Sequence, residues 1–319
     1  MTTQGPRDGQ DQARPTETPQ LFAIVGPTAT GKSELALDLA ERLGGEIVNG
    51  DAMALYRGME IGTARVPVSD RRGIAHHQLD VLEVTQEASV AAYQRHARDD
   101  IGAVWRRGRQ PLLVGGSGLY IRAVTDVIEF PGQDPAVRAK WEALGEEAGG
   151  AHLHGELARR DPAAAQAILP GNVRRLVRAL EVIELTGGPF SAHLPPHTSW
   201  RPVKIIGLSR EVAELDQVID QRVRAMMRAG LLDEVASLEA VGLRRGRTAA
   251  RAIGYREGLA VLDRELSADQ AEALIAQATK QLARRQLKWF RRDPRIVWLD
   301  AAAPDLADRA SALLRNEDN

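Results

Sequence analysis

Residues 26–33 read Gly-Pro-Thr-Ala-Thr-Gly-Lys-Ser, a G-x-x-x-x-G-K-[ST] run. It sits between a short apolar stretch, Leu21–Val25, and a segment from Ser33 to Leu43 whose apolar residues recur at helical spacing. That context restricts the region to strand, glycine loop and helix. Gly26 and Gly31 allow the loop of Pro27, Thr28, Ala29 and Thr30 to curl so that backbone N–H groups face a phosphate. The helix N-terminus adds partial positive charge. Lys32 neutralises phosphate oxygens, and the Ser33 hydroxyl is placed to ligate Mg²⁺. A polyphosphate ligand with Mg²⁺ as cofactor is the expectation.

The rest of the chain extends this unit. Gly44-Gly45 closes the helix, and Glu46–Val48 resumes a strand that ends at Asn49-Gly50-Asp51. This completes a β-α-β unit with Asp51 at a carboxyl strand end, where α/β folds bind ligands. Ser89 caps a helix with Val90, Tyr93, Ala97, Ile101 and Val104 on one stripe, which Gly108 ends before the strand Pro111–Val114. From about Phe130 to Ser191 the alternation gives way to Arg- and Ala-rich helical sequence. Val203–Leu208 reads as a strand again, followed by helices at Asp216–Ala229 and Ser267 to about Arg291, the latter opened by a capping box, and by a last strand at Ile296–Leu299. The expected fold is α/β: a P-loop core with a parallel sheet over 21–130 and 192–319, and a helical insertion over 131–191. Residues 1–20 lack large apolar side chains almost entirely and are expected to form a disordered tail.

The 319 residues suffice for such a core plus insertion. The absence of cysteine removes thiolate nucleophiles and Cys-based metal sites. No apolar run approaches the roughly 20 residues of a membrane span, and the N-terminus lacks signal-peptide order, so the reading is cytoplasmic with no membrane partner.

Ligand class turns on the other strand ends. Pro111–Val114 leads into Gly115-Gly116-Ser117-Gly118 with no Walker B carboxylate, and no guanine-reading NKxD motif occurs. The carboxylate is instead Asp51, suited to act as a base or metal ligand facing a pyrophosphate. His76-His77 invites a metal reading, but adjacent strand residues point apart, which favours a structural role. Trp289 and Phe290 are either a stacking platform or core. Between Thr279 and Arg295 seven basic residues stand against one acidic residue, +6 within a chain of net charge -1. Two more basic clusters, Arg174, Arg175 and Arg178, then Arg244, Arg245, Arg247, Arg251 and Arg256, favour RNA as a partner over a merely solvated surface.

Seven ordered blocks together resemble the tRNA dimethylallyltransferases. They are GPTATGKS at 26–33, VNGDAMALYRGMEIGTA at 48–64, HHQLDV at 76–81, PLLVGGSGLY at 111–120, RRLVRALEV at 174–182, ARAIGYRE at 250–257 and LARRQLKWFRR at 282–292. The resemblance implies transfer of a dimethylallyl group from dimethylallyl pyrophosphate to the exocyclic amine of adenosine 37 in a tRNA anticodon stem-loop. It also implies a P-loop that holds the departing pyrophosphate, with Arg222 as a second clamp. It offers Asp51 as general base, also a candidate metal ligand beside Ser33, and Ser117 as a catalytic contact to the target nucleotide. The blocks assigned to tRNA contact bring in Asp51, Ala52, Met53 and Ala54, then Ser117, Arg138, Arg174, Arg175, Leu176, Val177 and Arg178. Arg251, Ala252, Ile253, Gly254, Tyr255 and Arg256 follow, and the last basic helix adds Arg284, Arg285, Lys288, Arg291 and Arg292. Ala54 departs from the Gln usual in the family, and Gly50 precedes Asp51; a contact to the base is expected to be lost. The rivals are a P-loop small-molecule or nucleotide kinase and a non-catalytic RNA-binding protein with a vestigial P-loop. A monomer is expected.

Overall fold

A computed structural model describes residues 19–190 and 195–315. Apart from Pro19 and Gln20, the expected tail lies outside the described residues. The chain runs β1 (Leu21–Val25), α1 (Lys32–Leu43), β2 (Gly45–Asn49), β3 (His76–His77), α2 (Val90–Arg106), β4 (Gln110–Gly115) and α3 (Gly118–Thr125). It continues through α4 (Pro135–Arg160), α5 (Pro162–Ala167), α6 (Val173–Thr186), β5 (Val203–Ser209), α7 (Val212–Arg228), α8 (Leu231–Ala240), α9 (Tyr255–Leu262), α10 (Ala268–Phe290), β6 (Ile296–Asp300) and α11 (Leu306–Arg315).

The six strands form one sheet in the order β3-β2-β4-β1-β5-β6, every pairing parallel. All five residues of β1 are buried, as expected for a parallel strand covered on both faces. Leu21, Ala23 and Val25 join a core with α2 and α3, while Phe22 and Ile24 join one with α1 and α11. Because β1 lies between β4 and β5, the chain leaves its two sides in opposite directions, and the open crevice at its carboxyl end falls at the P-loop.

Two further helical layers lie outside the helices that cover the sheet, each with a core of its own. Helices α4 to α6 enclose their own cluster around Trp141, Leu153, Leu157, Leu176 and Leu180. Asp134 caps α4, accepting from Ala136 and Val137 N–H, and a left-handed Gly149 breaks the helix. The second layer, α7 to α10, packs Ile219, Val223, Leu231, Tyr255 and Ile275 against Tyr56 and Met59 from the segment after β2. The capping box at Ser267 and Gln270 forms both expected hydrogen bonds.

Three details differ from the sequence reading. Helix α7 starts four residues before Asp216, because the Glu211 carboxylate accepts from Ala213 and Glu214 N–H and so caps an earlier turn. Helix α11 was not foreseen; its Ala310 and Leu314 cover the sheet beside α1. Short helices α8 and α9 also escaped the periodicity, their buried faces being set by contact with α7 and α10. Among the described residues no helix is long and apolar enough to cross a membrane.

Candidate active site

The P-loop is shaped from within by one carbonyl. Pro27 O accepts from Thr30 Oγ1 at 2.9 Å and from Lys32 Nζ at 2.6 Å. Lys32 is 8% exposed. Burial lowers its pKa to about 8; the charge of Asp51 opposes the shift and that of Arg222 adds to it. Arg222, on α7, is partly buried, and burial disfavours its cation as well. Its side chain has no hydrogen-bond or ion-pair partner among the described residues. Two largely buried cations with one carboxylate, Asp51, near Lys32 leave positive charge for an anionic ligand.

Asp51 follows β2 and is fixed on both sides. Its backbone N–H donates to Asn49 Oδ1 at 3.0 Å, and Asn49 Nδ2 donates to Asp51 O and Gln78 O, both at 2.9 Å. The carboxylate turns to the loop after β4: Oδ1 accepts from Gly116 N–H at 2.6 Å and lies 3.4 Å from the Ser117 hydroxyl. Ser117 Oγ in turn accepts from Ala52 N–H at 3.1 Å. The Asp51 side chain makes no cap hydrogen bond to the short helical turn that follows it. Oδ2 is left without a protein donor among the described residues. The close approach of the two strand ends depends on Gly115, where a Cβ would meet Gly50 C and O at 2.4 and 2.5 Å.

The contact that sequence reasoning missed is Gln286 of α10. Its Oε1 accepts from Thr28 N–H at 2.9 Å and its Nε2 donates to Gly116 O at 3.0 Å. One side chain thus ties the P-loop to the loop that holds Asp51. Nothing in the local pattern of α10 marks this residue; only its place in the LARRQLKWFRR block distinguished it.

Two cavities meet at these residues. One of about 580 Å³ reaches from Lys32 and Asp51 past Ser117 to Arg174, Arg251, Arg285 and Trp289. Another of about 290 Å³ lies against Gly31 and Ser33. Thr28, Lys32, Asp51, Ala54 and Arg222 line both, so the charged groups sit where the two cavities adjoin. Ala54 keeps that junction wide where a longer side chain would enter it.

The chain matches the family described as IPP transferase over residues 54–293. It belongs to that family. A tRNA dimethylallyltransferase of Saccharopolyspora erythraea is 59% identical over 297 residues, covering 93% of this chain and 96% of the relative. One of Nocardia farcinica is 56% identical over 295 residues, covering 92% and 94%. Among solved structures, the tRNA isopentenylpyrophosphate transferase of Bacillus halodurans aligns with TM-score 0.68 at 37% identity, covering 92% of this chain and 95% of that one. A eukaryotic dimethylallyltransferase described as acting on tRNA aligns with TM-score 0.77 at 25% identity, covering 92% and 77%.

The basic residues of the chain divide by partner. Glu181, fully buried, takes Arg138 at 2.8 Å and Arg178 at 2.9 Å; burial pushes its carboxyl up, but the two guanidiniums outweigh this and hold it below the ordinary range. Arg244 is held by Glu239 and Asp263, Arg247 by Glu142, Arg256 by Glu257, Arg284 by Asp216 and Lys280 by Asp220. Arg251, Arg285, Lys288, Arg291 and Arg292 are exposed and have no side-chain partner among the described residues. Leu176 and Val177 face the insertion core, and Ala252 and Tyr255 the second helical layer, where the Tyr255 hydroxyl donates to Glu234 at 2.7 Å. Arg175 and Ile253 stay at the surface or cavity edge, and Gly254 opens α9. His77 bonds Glu46 at 2.7 Å and His76 the Ile74 carbonyl at 2.9 Å. Phe290 is core at 3% exposure, whereas Trp289 at 36% stays open to the cavity.

Proposed function

We propose that this site transfers a dimethylallyl group from dimethylallyl pyrophosphate to the exocyclic amine of adenosine 37 in a tRNA anticodon stem-loop, releasing pyrophosphate. The relatives' names support tRNA prenyl transfer. The observation that carries the details is the junction of two cavities at Lys32, Asp51 and Arg222. Pyrophosphate and acceptor base can occupy adjoining cavities and meet there. The pyrophosphate lies on the P-loop N–H groups, Lys32 and Arg222. Val223 and Met226, close to Arg222 along α7, supply apolar wall for the five-carbon group. The adenosine leaves its stack and enters the larger cavity beside Ser117.

The amine attacks the allylic carbon as the C–O bond to pyrophosphate breaks, the bonding pair leaving with the pyrophosphate. The amine proton passes to Asp51 Oδ2, while Gly116 N–H and Ser117 hold Oδ1 in place. The buried cations stabilise the charge that develops on the leaving group. Ser33, lining the smaller cavity, would supply the protein oxygen for Mg²⁺, leaving Asp51 Oδ2 free for the proton. Mg²⁺ takes few protein ligands and several phosphate or water oxygens, so this sparse donor set fits it. When bound it would add positive charge at the pyrophosphate.

The kinase reading is disfavoured by the glycine loop after β4, which brings no carboxylate to a γ-phosphate. Helices α4 to α6, as the insertion over 131–191, clasp the stem-loop from the side of Arg174 and Arg175. The chain acts as a monomer. The test is incubation with unmodified anticodon stem-loop and labelled dimethylallyl pyrophosphate, with ATP in parallel. Label on adenosine 37 and none from ATP is expected; phosphoryl transfer from ATP would overturn the proposal. Asp51→Ala should lower kcat by at least ~100-fold with RNA affinity little changed.

A further inference from the structure

A third cavity, of about 440 Å³, lies outside the site described above. Its floor is apolar, with Val25, Ile121, Ile205, Phe290 and Ile296 from the sheet and the helices over it. Its rim is cationic, with Arg122, Arg175 and Arg292, and Ala167 at the end of α5 closes it on the insertion side. The acid at the rim, Asp293, is already bonded to Arg295 at 2.7 Å, and Arg122 is held by Asp126 at 2.7 Å. Arg292 is exposed, with no side-chain partner among the described residues.

Among the described residues, Trp289 alone lines both this cavity and the large catalytic one. Its indole is seated on Gly118, where a Cβ would approach Cδ1 and Nε1 at 2.2 Å. Gly118 directly follows Ser117, so the ring is a partition set beside the proposed path of the target base. An exposed indole between a cavity for one base and a second cavity rimmed by arginines suits single-stranded RNA, whose unstacked bases seek aromatic faces while cations take the phosphates.

We infer that this third cavity receives the nucleotide next to the modified adenosine, its base stacked against Trp289 and its phosphate facing Arg292 and Arg175. The inference rests on the tRNA reading above and adds a second base site to it. Extruding the target adenosine strips its neighbour of a stacking partner, and the Trp289 ring replaces that partner. The occupant is a nucleotide of the bound stem-loop itself, since the shared wall places it one step from the target.

The experiment measures Kd of anticodon stem-loops for the unaltered protein, with an abasic residue at one or the other flanking position. One of the two should bind ~10-fold more weakly, within the range of a single base–aromatic stack. Ala167→Phe, on an exposed residue that does not line the catalytic cavity, fills the third cavity from its rim. It should weaken the intact stem-loop by a similar factor and add nothing further to the abasic one. Equal affinity of intact and both abasic loops, or effects of Ala167→Phe and the abasic site that multiply, would overturn the inference. The abasic arm needs no variant to fold. Because Kd is read without turnover, a failure to prenylate would overturn the proposed function and leave this comparison readable.

Discussion

Lys32 gives the sharpest test of how the donor site is held ready. In the ligand-free protein its ammonium is buried, bonded only to Pro27 O, and flanked by Arg222. The fall from 10.5 to about 8 corresponds to about 3 kcal/mol against the charged form in the folded state. Below pH 8 the residue is charged in both folded and unfolded chains, so the whole penalty is present. Between pH 8 and 10.5 the unfolded chain holds the proton and the folded one has released it, so stability rises with pH through that window. Lys32→Met removes the penalty. It should therefore raise the ligand-free melting temperature at pH 7 by roughly 3–6 °C, given about 2 °C or less per kcal/mol for a chain of this size. The gain should shrink toward pH 10. Inorganic pyrophosphate should stabilise the wild type, weakening as pH climbs above 8 because binding then requires Lys32 to regain its proton, and should fail to stabilise the variant. The assay is thermal unfolding with and without pyrophosphate from pH 7 to 10. A variant that melts lower than wild type and still responds to pyrophosphate would refute the reasoning.

Other outcomes follow from the partner assignments. Arg285→Ala/Arg292→Ala should flatten the log–log salt dependence of stem-loop binding by roughly 1.4, about 0.7 per lost single-strand phosphate contact, whereas Arg284→Ala, already neutralised by Asp216, should change the slope little. Equal slopes for the two variants would show that ion pairing does not sort these residues. Gln286→Leu leaves Thr28 N–H and Gly116 O unpartnered, at up to ~1 kcal/mol for each of these partly buried groups; kcat should drop by tenfold or more, with RNA Kd unchanged in a filter-binding measurement. Glu181→Gln should destabilise helices α4 to α6, seen as earlier loss of helical circular dichroism on heating. In the wild type the stability from this carboxylate should fade only below pH 4.5, as it is protonated.

Sequence and tertiary structure contributed differently to this site. The P-loop was legible because all its parts lie within eight residues and each acts through local backbone geometry. Asp51 was legible as a strand-end carboxylate because strand polarity alone places it at the ligand side of the sheet. The capping box at Ser267 depends on residues three apart and formed as written. What the sequence left open depended on distant partners. Gln286 reaches Thr28 across 258 positions, and no pattern along α10 distinguishes its face toward the P-loop from its other faces. The basic clusters looked uniform because charge density counts residues without their partners. Folding then assigned Asp216 to Arg284, Asp263 to Arg244 and Glu181 to Arg138, and left Arg285 and Arg292 at cavity walls. Whether Trp289 was core or platform turned on a residue with no side chain, Gly118, lying opposite it. Local sequence determines where the chain can turn, cap and cradle an anion, because those acts use neighbouring backbone. Only the packed structure decides which charges remain for a ligand, because a charge is spent or spared by whatever the rest of the chain brings within a few ångströms of it.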